Sequence, residues 1–203
     1  MLLPEKAVYI KSLNILIVTD IHIGKTGHFR KAGLAIPSQL AFSDLERLSL
    51  LIEDYKPEKL IVLGDMLHAK ENYDMEIFTQ WRRKIIDTGI TLIKGNHDIL
   101  PKYFYDENKI EDIKELFLTE NIKLVHRFNG VAEENIFTIS GHVHPAVRLH
   151  GKGKQKNAFQ SFYFAECFAL LPAFGEFTGN YIINPGKEDR VFVVTKDGKV
   201  FKV

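Results

Sequence analysis

Three short apolar runs each end on residues that bind metals or protons. They are NILIVTD (14–20), KLIVLGD (59–65) and TLIKGNHD (91–98). Continuous apolar runs, unlike alternating ones, suit strands covered on both faces. The stretches between them have helical spacing. Leu40, Leu45, Leu48, Leu51, Ile52 and Tyr55 follow a candidate cap at Ser38, and Pro57 supplies a stop. Ile77, Phe78, Trp81, Ile85 and Ile86 mark a second helix over 74–88, with Gly89 as its stop. A β-α-β-α-β order demands parallel strands joined by right-handed crossovers.

Beyond residue 105 the segment IEDIKELFL (110–118) predicts a shorter helix. Strands are then expected at IKLVH, NIFTISGH, FQSFYF, YIIN and RVFVVT, the last turning through Asp197-Gly198 into KVFKV. The expected architecture is an α/β sandwich with two central sheets and helices outside. The 203 residues contain no internal repeat and no dividing linker, so one domain over 1–203 is expected.

Composition narrows the function classes. Lys and Arg total 27 against 26 for Asp and Glu, a net charge of +1. That excludes a protein coating nucleic acid through bulk charge, but not an enzyme acting on phosphate esters. A single Cys rules out an internal disulfide and a thiolate metal cluster, leaving eight His for any metal chemistry. Cys167 lies in an apolar context and reads as inert core. The start, MLLPEKAVYIK, lacks the basic and apolar regions of a signal peptide, and no run is long enough to span a bilayer. A cytoplasmic location is the expectation.

The polar residues cluster at the strand ends: Asp20 and His22, Asp65, Asn96-His97-Asp98, and His142 with His144. In open α/β sheets ligands bind beyond the carboxyl ends of the strands, so these four ends should converge. Asp-x-His and His-x-His place their ends on one side of an extended chain. A Gly precedes Asp65, Asn96 and His142, where the backbone is expected to turn sharply beside an ion. Carboxylate, imidazole and amide ligands suit manganese, iron or zinc more than copper. Two ions about 3.5–4 Å apart and bridged by a carboxylate would serve in-line displacement at phosphorus. Asp65, alone at its strand end, is the expected bridge. The first ion would take Asp20, His22, Asp65 and His144; the second Asp65, Asn96, His142 and one further His.

The ordered set D-x-H, G-D, G-N-H-D and G-H-x-H resembles the calcineurin-like metallophosphoesterases. Gly24-Lys25, FRKAGLAIP, LGDMLHA, GHVHPAVRLHGKG and LPAFGEFTG are similar to a bacterial and archaeal subgroup. That subgroup comprises ligase-associated DNA-damage-response endonucleases or phosphoesterases. The resemblance covers roughly residues 8 to 195. It implies a four-layer α/β/β/α sandwich, two mixed sheets flanked by helices, a dinuclear centre and phosphoester hydrolysis. Manganese is the expected ion, with iron or zinc as alternatives. By family analogy, DNA ligase and helicase repair proteins are expected partners. The family also expects a lone His between G-N-H-D and G-H-x-H, and His126 in IKLVH matches it, 16 residues before His142. Relatives usually follow that His with an acidic residue or Pro; Arg127 and Phe128 follow it here.

The remaining candidates each carry two readings. His97 reads as general acid for the leaving group, with Asp98 holding its imidazole, while either could simply cap the following turn. His68 either lines the site or packs. Lys25 and Arg30 either hold a phosphate oxygen or belong to a solvated loop. The basic stretch from His150 to Lys156 reads as a polar hairpin turn or a backbone-contacting lip for nucleic acid. Residues 159–181 hold eight aromatics, among them Phe162, Phe164, Phe174 and Phe177. Core packing accounts for them better than base stacking.

The expected reaction is hydrolysis of a phosphodiester by a hydroxide held between two cations, with His97 protonating the departing oxygen. A nuclease or phosphodiesterase in DNA repair is the leading reading. A small-molecule enzyme on cyclic nucleotides or nucleotide diphosphates comes second. A docking module that has lost catalysis comes third, because such a protein should lack several ligands and this one lacks none.

Overall fold

The computed structural model describes residues 1–25, 40–68, 73–150 and 156–203. Its first sheet lays six strands side by side in chain order: β1 (Leu2–Leu3), β2 (Ala7–Ile10), β3 (Ile15–Val18), β4 (Lys59–Val62), β5 (Gly89–Ile93) and β6 (Ile110–Ile113). β3 to β6 are parallel, with Ile15 opposite Lys59, Lys59 opposite Gly89 and Ile90 opposite Ile110. β1 and β2 add an antiparallel edge.

Strand pleating divides the apolar runs between two interiors. Leu16, Val18, Leu60, Val62, Ile90 and Leu92 face three helices, α1 (Leu40–Tyr55), α2 (Tyr73–Lys84) and α3 (Lys102–Glu107), through Leu48, Leu51, Phe78 and Phe104. The intervening Ile17, Ile61, Leu63 and Ile93 meet Leu124, Phe162 and Leu171 of the second sheet.

That second sheet is built from β7 (Glu115–Thr119), β8 (Ile122–Val125), β9 (Phe137–Ser140), β10 (Pro145–His150), β11 (Lys156–Phe164), β12 (Phe168–Leu170), β13 (Tyr181–Ile182), β14 (Arg190–Val194) and β15 (Val200–Lys202). It is mixed: β8, β9 and β12 run parallel, whereas β11 is antiparallel to β10, β12 and β14. The two mixed sheets of the expected sandwich are therefore present. The three described α-helices cover the outer face of the first. The outer face of the second carries a small cluster of Val147, Val191 and Val193.

The expected helix over 110–118 is instead two strands. Ile110, Ile113, Phe117 and Leu118 imitate helical spacing because the chain changes sheets within the segment. β6 closes the parallel sheet beside β5, and one residue later, past Lys114, β7 opens the other sheet against β8. Pairing on two different sheets overrides the local periodicity. Gly89 begins β5 rather than stopping a helix, since α2 ends at Lys84. Cys167 is half-buried rather than core. Of the aromatics over 159–181, Phe162 and Phe174 are fully buried and Phe164 packs between the sheets, whereas Tyr181 is exposed. Among the described residues no helix is long and apolar enough to cross a membrane.

Candidate metal centre

The predicted convergence is met. Beyond the ends of β3, β4, β8 and β9 two groups of side chains gather, and within each the ligand atoms lie within 4.8 Å of one another. One is Asp20, His22 and His144; the other is Asp65, His126 and His142. Backbone hydrogen bonds tie the loops together. Asp20 N donates to Gly64 O (3.1 Å), His22 N to Asp65 O (2.9 Å) and Gly141 N to His126 O (3.1 Å).

The local geometry differs from a simple continuation of the strands. Asp20, His22, Asp65, His142 and His144 all have left-handed backbones, with φ of 52°, 54°, 50°, 67° and 55°. Asp and His tolerate this region better than most residues, and departures of this kind concentrate at functional sites. Asp20 and His22 thus reach one group through successive left-handed turns, not through the i, i+2 pleat. The glycines serve two purposes. Gly64 (φ 78°) makes the turn into Asp65 and leaves room for the His126 ring. Gly141 leaves space for the Thr19 hydroxyl and Asp20 carboxylate, which a Cβ there would strike.

In the first group Asp20 is fully buried. Its Oδ2 accepts from Thr19 Oγ1 (2.5 Å) and from His142 N (2.8 Å). Its Oδ1 lies 3.2 Å from His144 Nε2. Both of those atoms are buried and lack a hydrogen-bond partner. Burial works against ionising Asp20, but His144, the Thr19 hydroxyl and the His142 amide together hold its carboxyl below the ordinary range. His144 Nδ1 faces the Gly179 carbonyl at 3.0 Å, so Nδ1 carries a proton, and with a cation bound Nε2 would present its lone pair. His22 is pushed down to about 3, by burial first and then by the Lys25 charge. It is therefore neutral at physiological pH, as a ligand must be. Orphaned polar atoms and the neutral His22 imidazole around a buried carboxylate fit a divalent cation.

The second group follows the same logic. His126 is buried, and its Nδ1 sits 2.8 Å from the Leu63 carbonyl, which fixes the tautomer. Its Nε2 then faces Asp65 Oδ1 (3.6 Å), His142 Nδ1 (3.0 Å) and Asn96 Oδ1 (3.3 Å). His142 is lowered by burial, then by the neighbouring His126 and, more weakly, by Arg127. Asp65 joins the groups: Oδ1 faces His126, while Oδ2 lies 3.8 Å from His22 Nε2.

His97 stands beside the first group, its ring centroid 5.3 Å from His22 and 4.7 Å from His68, and its amide donates to Asp65 Oδ1 (3.0 Å). His68 lines the site, with Nδ1 3.2 Å from His22 Nδ1. Asp98 departs from expectation. Its Oδ1 accepts from Leu67 N (3.0 Å) and its Oδ2 from Gly95 N (2.9 Å), so its oxygens staple the Asp65 and Asn96 loops instead of holding the His97 ring. Nor does it cap a helix, since α3 begins at Lys102, behind Pro101. Lys25 follows His22 in the turn and is half-buried. Arg30, Ser38, Lys152 and Lys154 lie outside the described residues.

Sequence reasoning missed Thr19 and the Leu63 and Gly179 carbonyls. The two carbonyls have no side-chain signal. Thr19 had one, as a hydroxyl next to a candidate ligand on a buried strand end.

No curated protein matches the chain. Among solved structures it is similar to Pseudomonas putida nuclease MPE, at 30% identity and a TM-score of 0.80, covering 99% of this chain and 93% of that one. It also aligns with Yfce, a phosphoesterase from E. coli, at 12% identity and a TM-score of 0.48, covering 93% of this chain and 97% of the other. The sequence profile of the calcineurin-like phosphoesterases matches residues 13–198. That span contains every residue of both ligand groups, and the chain belongs to the calcineurin-like phosphoesterase family.

Proposed function

We propose that the chain is a dinuclear phosphodiesterase whose substrate is nucleic acid and whose setting is DNA repair. The observation that carries the dinuclear part is Asp65, whose two carboxylate oxygens face two separate groups, at 3.8 Å from His22 and 3.6 Å from His126. A nucleic-acid substrate is supported by similarity, at 30% identity over 99% of the chain, to a nuclease. The repair setting and ligase or helicase partners rest on the subgroup motifs, LGDMLHA and LPAFGEFTG among them.

Asp20, His22, Asp65 and His144 would hold one ion; Asp65, Asn96, His126 and His142 the other. Bound divalent ions, manganese first, would supply Lewis acidity and an activated water at phosphorus. The chain's own part is preorganisation. The Leu63 and Gly179 carbonyls keep His126 and His144 in the tautomer that offers Nε2. Asn96 positions a non-bridging oxygen. His97, at the mouth of the first group, donates the proton to the departing alkoxide. Lys25 and His68 line the approach.

The test is a manganese-supplemented panel of an aryl phosphomonoester, an aryl diester, cyclic nucleotides, and single- and double-stranded DNA. Turnover of the aryl diester and of DNA is the expected result. Activity confined to cyclic nucleotides would favour a small-molecule enzyme, and an inert, metal-free protein would favour a docking module.

A further inference from the structure

The segment 174–181 runs as a strap across the first ligand group, and one side chain of α1 anchors it. Phe174 N donates to Thr19 O (2.8 Å) and Gly175 N to Asp20 O (3.1 Å). The approach is close: a Cβ on Gly175 would lie 2.4 Å from the Ile21 carbonyl oxygen. Further along, Thr178 Oγ1 donates back to Gly175 O (2.8 Å), the Gly179 carbonyl faces His144 Nδ1 (3.0 Å), and Tyr181 N donates to His144 O (2.9 Å). The strap thus touches both Asp20 and His144. Among the described residues no hydrogen bond joins it to Asp65, His126 or His142.

Arg47 holds the near end of the strap. Its Nη1 donates to Glu176 Oε1 (2.8 Å), and its Nη2 lies 2.9 Å from Asp44 Oδ1 and donates to the Phe174 carbonyl. The guanidinium also lies over the Phe174 ring, 4.2 Å from its centroid. Asp44, one turn earlier on α1, accepts from Glu176 N at 3.3 Å with either oxygen. Phe174 and Glu176, on either side of Gly175, are therefore tied to α1. The Arg47 and Asp44 side chains are largely withdrawn from solvent, at 19% and 13% exposure, whereas Glu176 keeps 49%. A pair that open contributes little, so the weight falls on the fork to Asp44 and the Phe174 carbonyl. With two carboxylates against it, the Arg47 charge is committed within the protein and is not offered to a substrate phosphate.

We infer that Arg47 is a positioning residue for the metal centre: through the strap it fixes the Asp20 backbone and the His144 ring. It thereby sets the affinity of the ion at Asp20 and His144, and not that of the ion at His126 and His142. Neighbours that orient ligands in this way typically account for a factor of about 10 to 100 in metal affinity. The inference rests on the dinuclear reading above.

The test is calorimetric titration of metal-free protein with manganese, for wild type and Arg47→Met. Wild type should take up two ions. In Arg47→Met one Kd should rise about 10- to 100-fold, with the other changed less than about twofold. Two backgrounds identify the ion. In His126→Ala, which should keep only the ion at Asp20 and His144, Arg47→Met should weaken it by that same factor. In His144→Ala, which should keep only the other ion, Arg47→Met should change its Kd less than about twofold, since it acts through a group already broken. Arg47→Lys keeps the charge but not the fork, so it should show the same split at severalfold, and it carries the test where Arg47→Met does not fold. A lower metal-free Tm with both Kd values unchanged would mean a merely structural tie and would overturn the inference. So would equal weakening of both ions, or a loss that persists in His144→Ala. A wild type that takes up a single ion defeats the dinuclear reading instead, and the role of Arg47 then stands or falls on whether Arg47→Met weakens that ion. A wild type that takes up no manganese defeats both.

Discussion

Asp20 Oδ1 and His144 Nε2 stand 3.2 Å apart in the interior, and neither has a hydrogen-bond partner. Buried polar atoms left unmatched are costly, on the order of 1–3 kcal/mol each. A cation between them would satisfy both. Manganese should therefore stabilise the fold by mass action, about 2.7 kcal/mol at a free concentration one hundred times Kd. For a domain of this size that is several degrees of Tm. Thermal melts with and without manganese check it. His144→Ala should lose much of the shift, and a wild-type Tm that ignores manganese would contradict the arrangement.

Asp65 faces both groups and should be the least replaceable ligand. Asp65→Asn is expected to lower bound metal and to cut turnover by roughly a hundredfold or more, the scale of losing one electrostatic stabiliser. Elemental analysis beside kinetics decides the point. Full metal loading with near-normal activity would refute the bridge.

Asp98 is buried, and its carboxyl is pushed up to about 6, chiefly by burial and against the pull of the Gly95 and Leu67 amides. A folded-state pKa above the unfolded value means that the folded protein binds the extra proton. That contribution is complete below about pH 4 and is lost as pH rises through about 6. In metal-free protein, the stability of wild type relative to Asp98→Asn should therefore be greater at pH 4 than at pH 7. The difference should be on the order of 2 kcal/mol. Urea melts across that range measure it; a gap that is constant or grows with pH would sink the assignment.

His97→Ala should retain metal yet slow the reaction. A general acid typically contributes a factor of about 10² to 10⁴, and most when the leaving group is a poor one. DNA cleavage should thus suffer far more than cleavage of an activated aryl diester. Equal slowing of both would remove the proton-donor role.

Much of this site is legible in the linear chain because parallel strands place their carboxyl ends together. An acid or His closing each apolar run announces the convergence before any coordinates exist. Asp20, His22, Asp65, Asn96, His142 and His144 are found that way. His126 has no flanking motif, and only the family resemblance picks it out. The segment 110–118 was misleading for a physical reason. Its apolar spacing reports burial on two different sheets, and a one-dimensional pattern does not distinguish that from one helix face.

The sequence by itself determined the alternation of strands and helices in the first half of the chain, the candidate ligands that close the apolar runs and the exclusion of a thiolate cluster. These follow from local periodicity and residue chemistry. Only the tertiary structure decided that left-handed turns aim Asp20 and His22 into one group, that the Leu63 and Gly179 carbonyls face the His126 and His144 rings, and that Asp98 staples two loops instead of orienting His97. Those relationships are set by left-handed backbone turns and by carbonyls and amides from distant strands. A peptide group has the same composition everywhere in the chain, so its role appears only once folding has placed it.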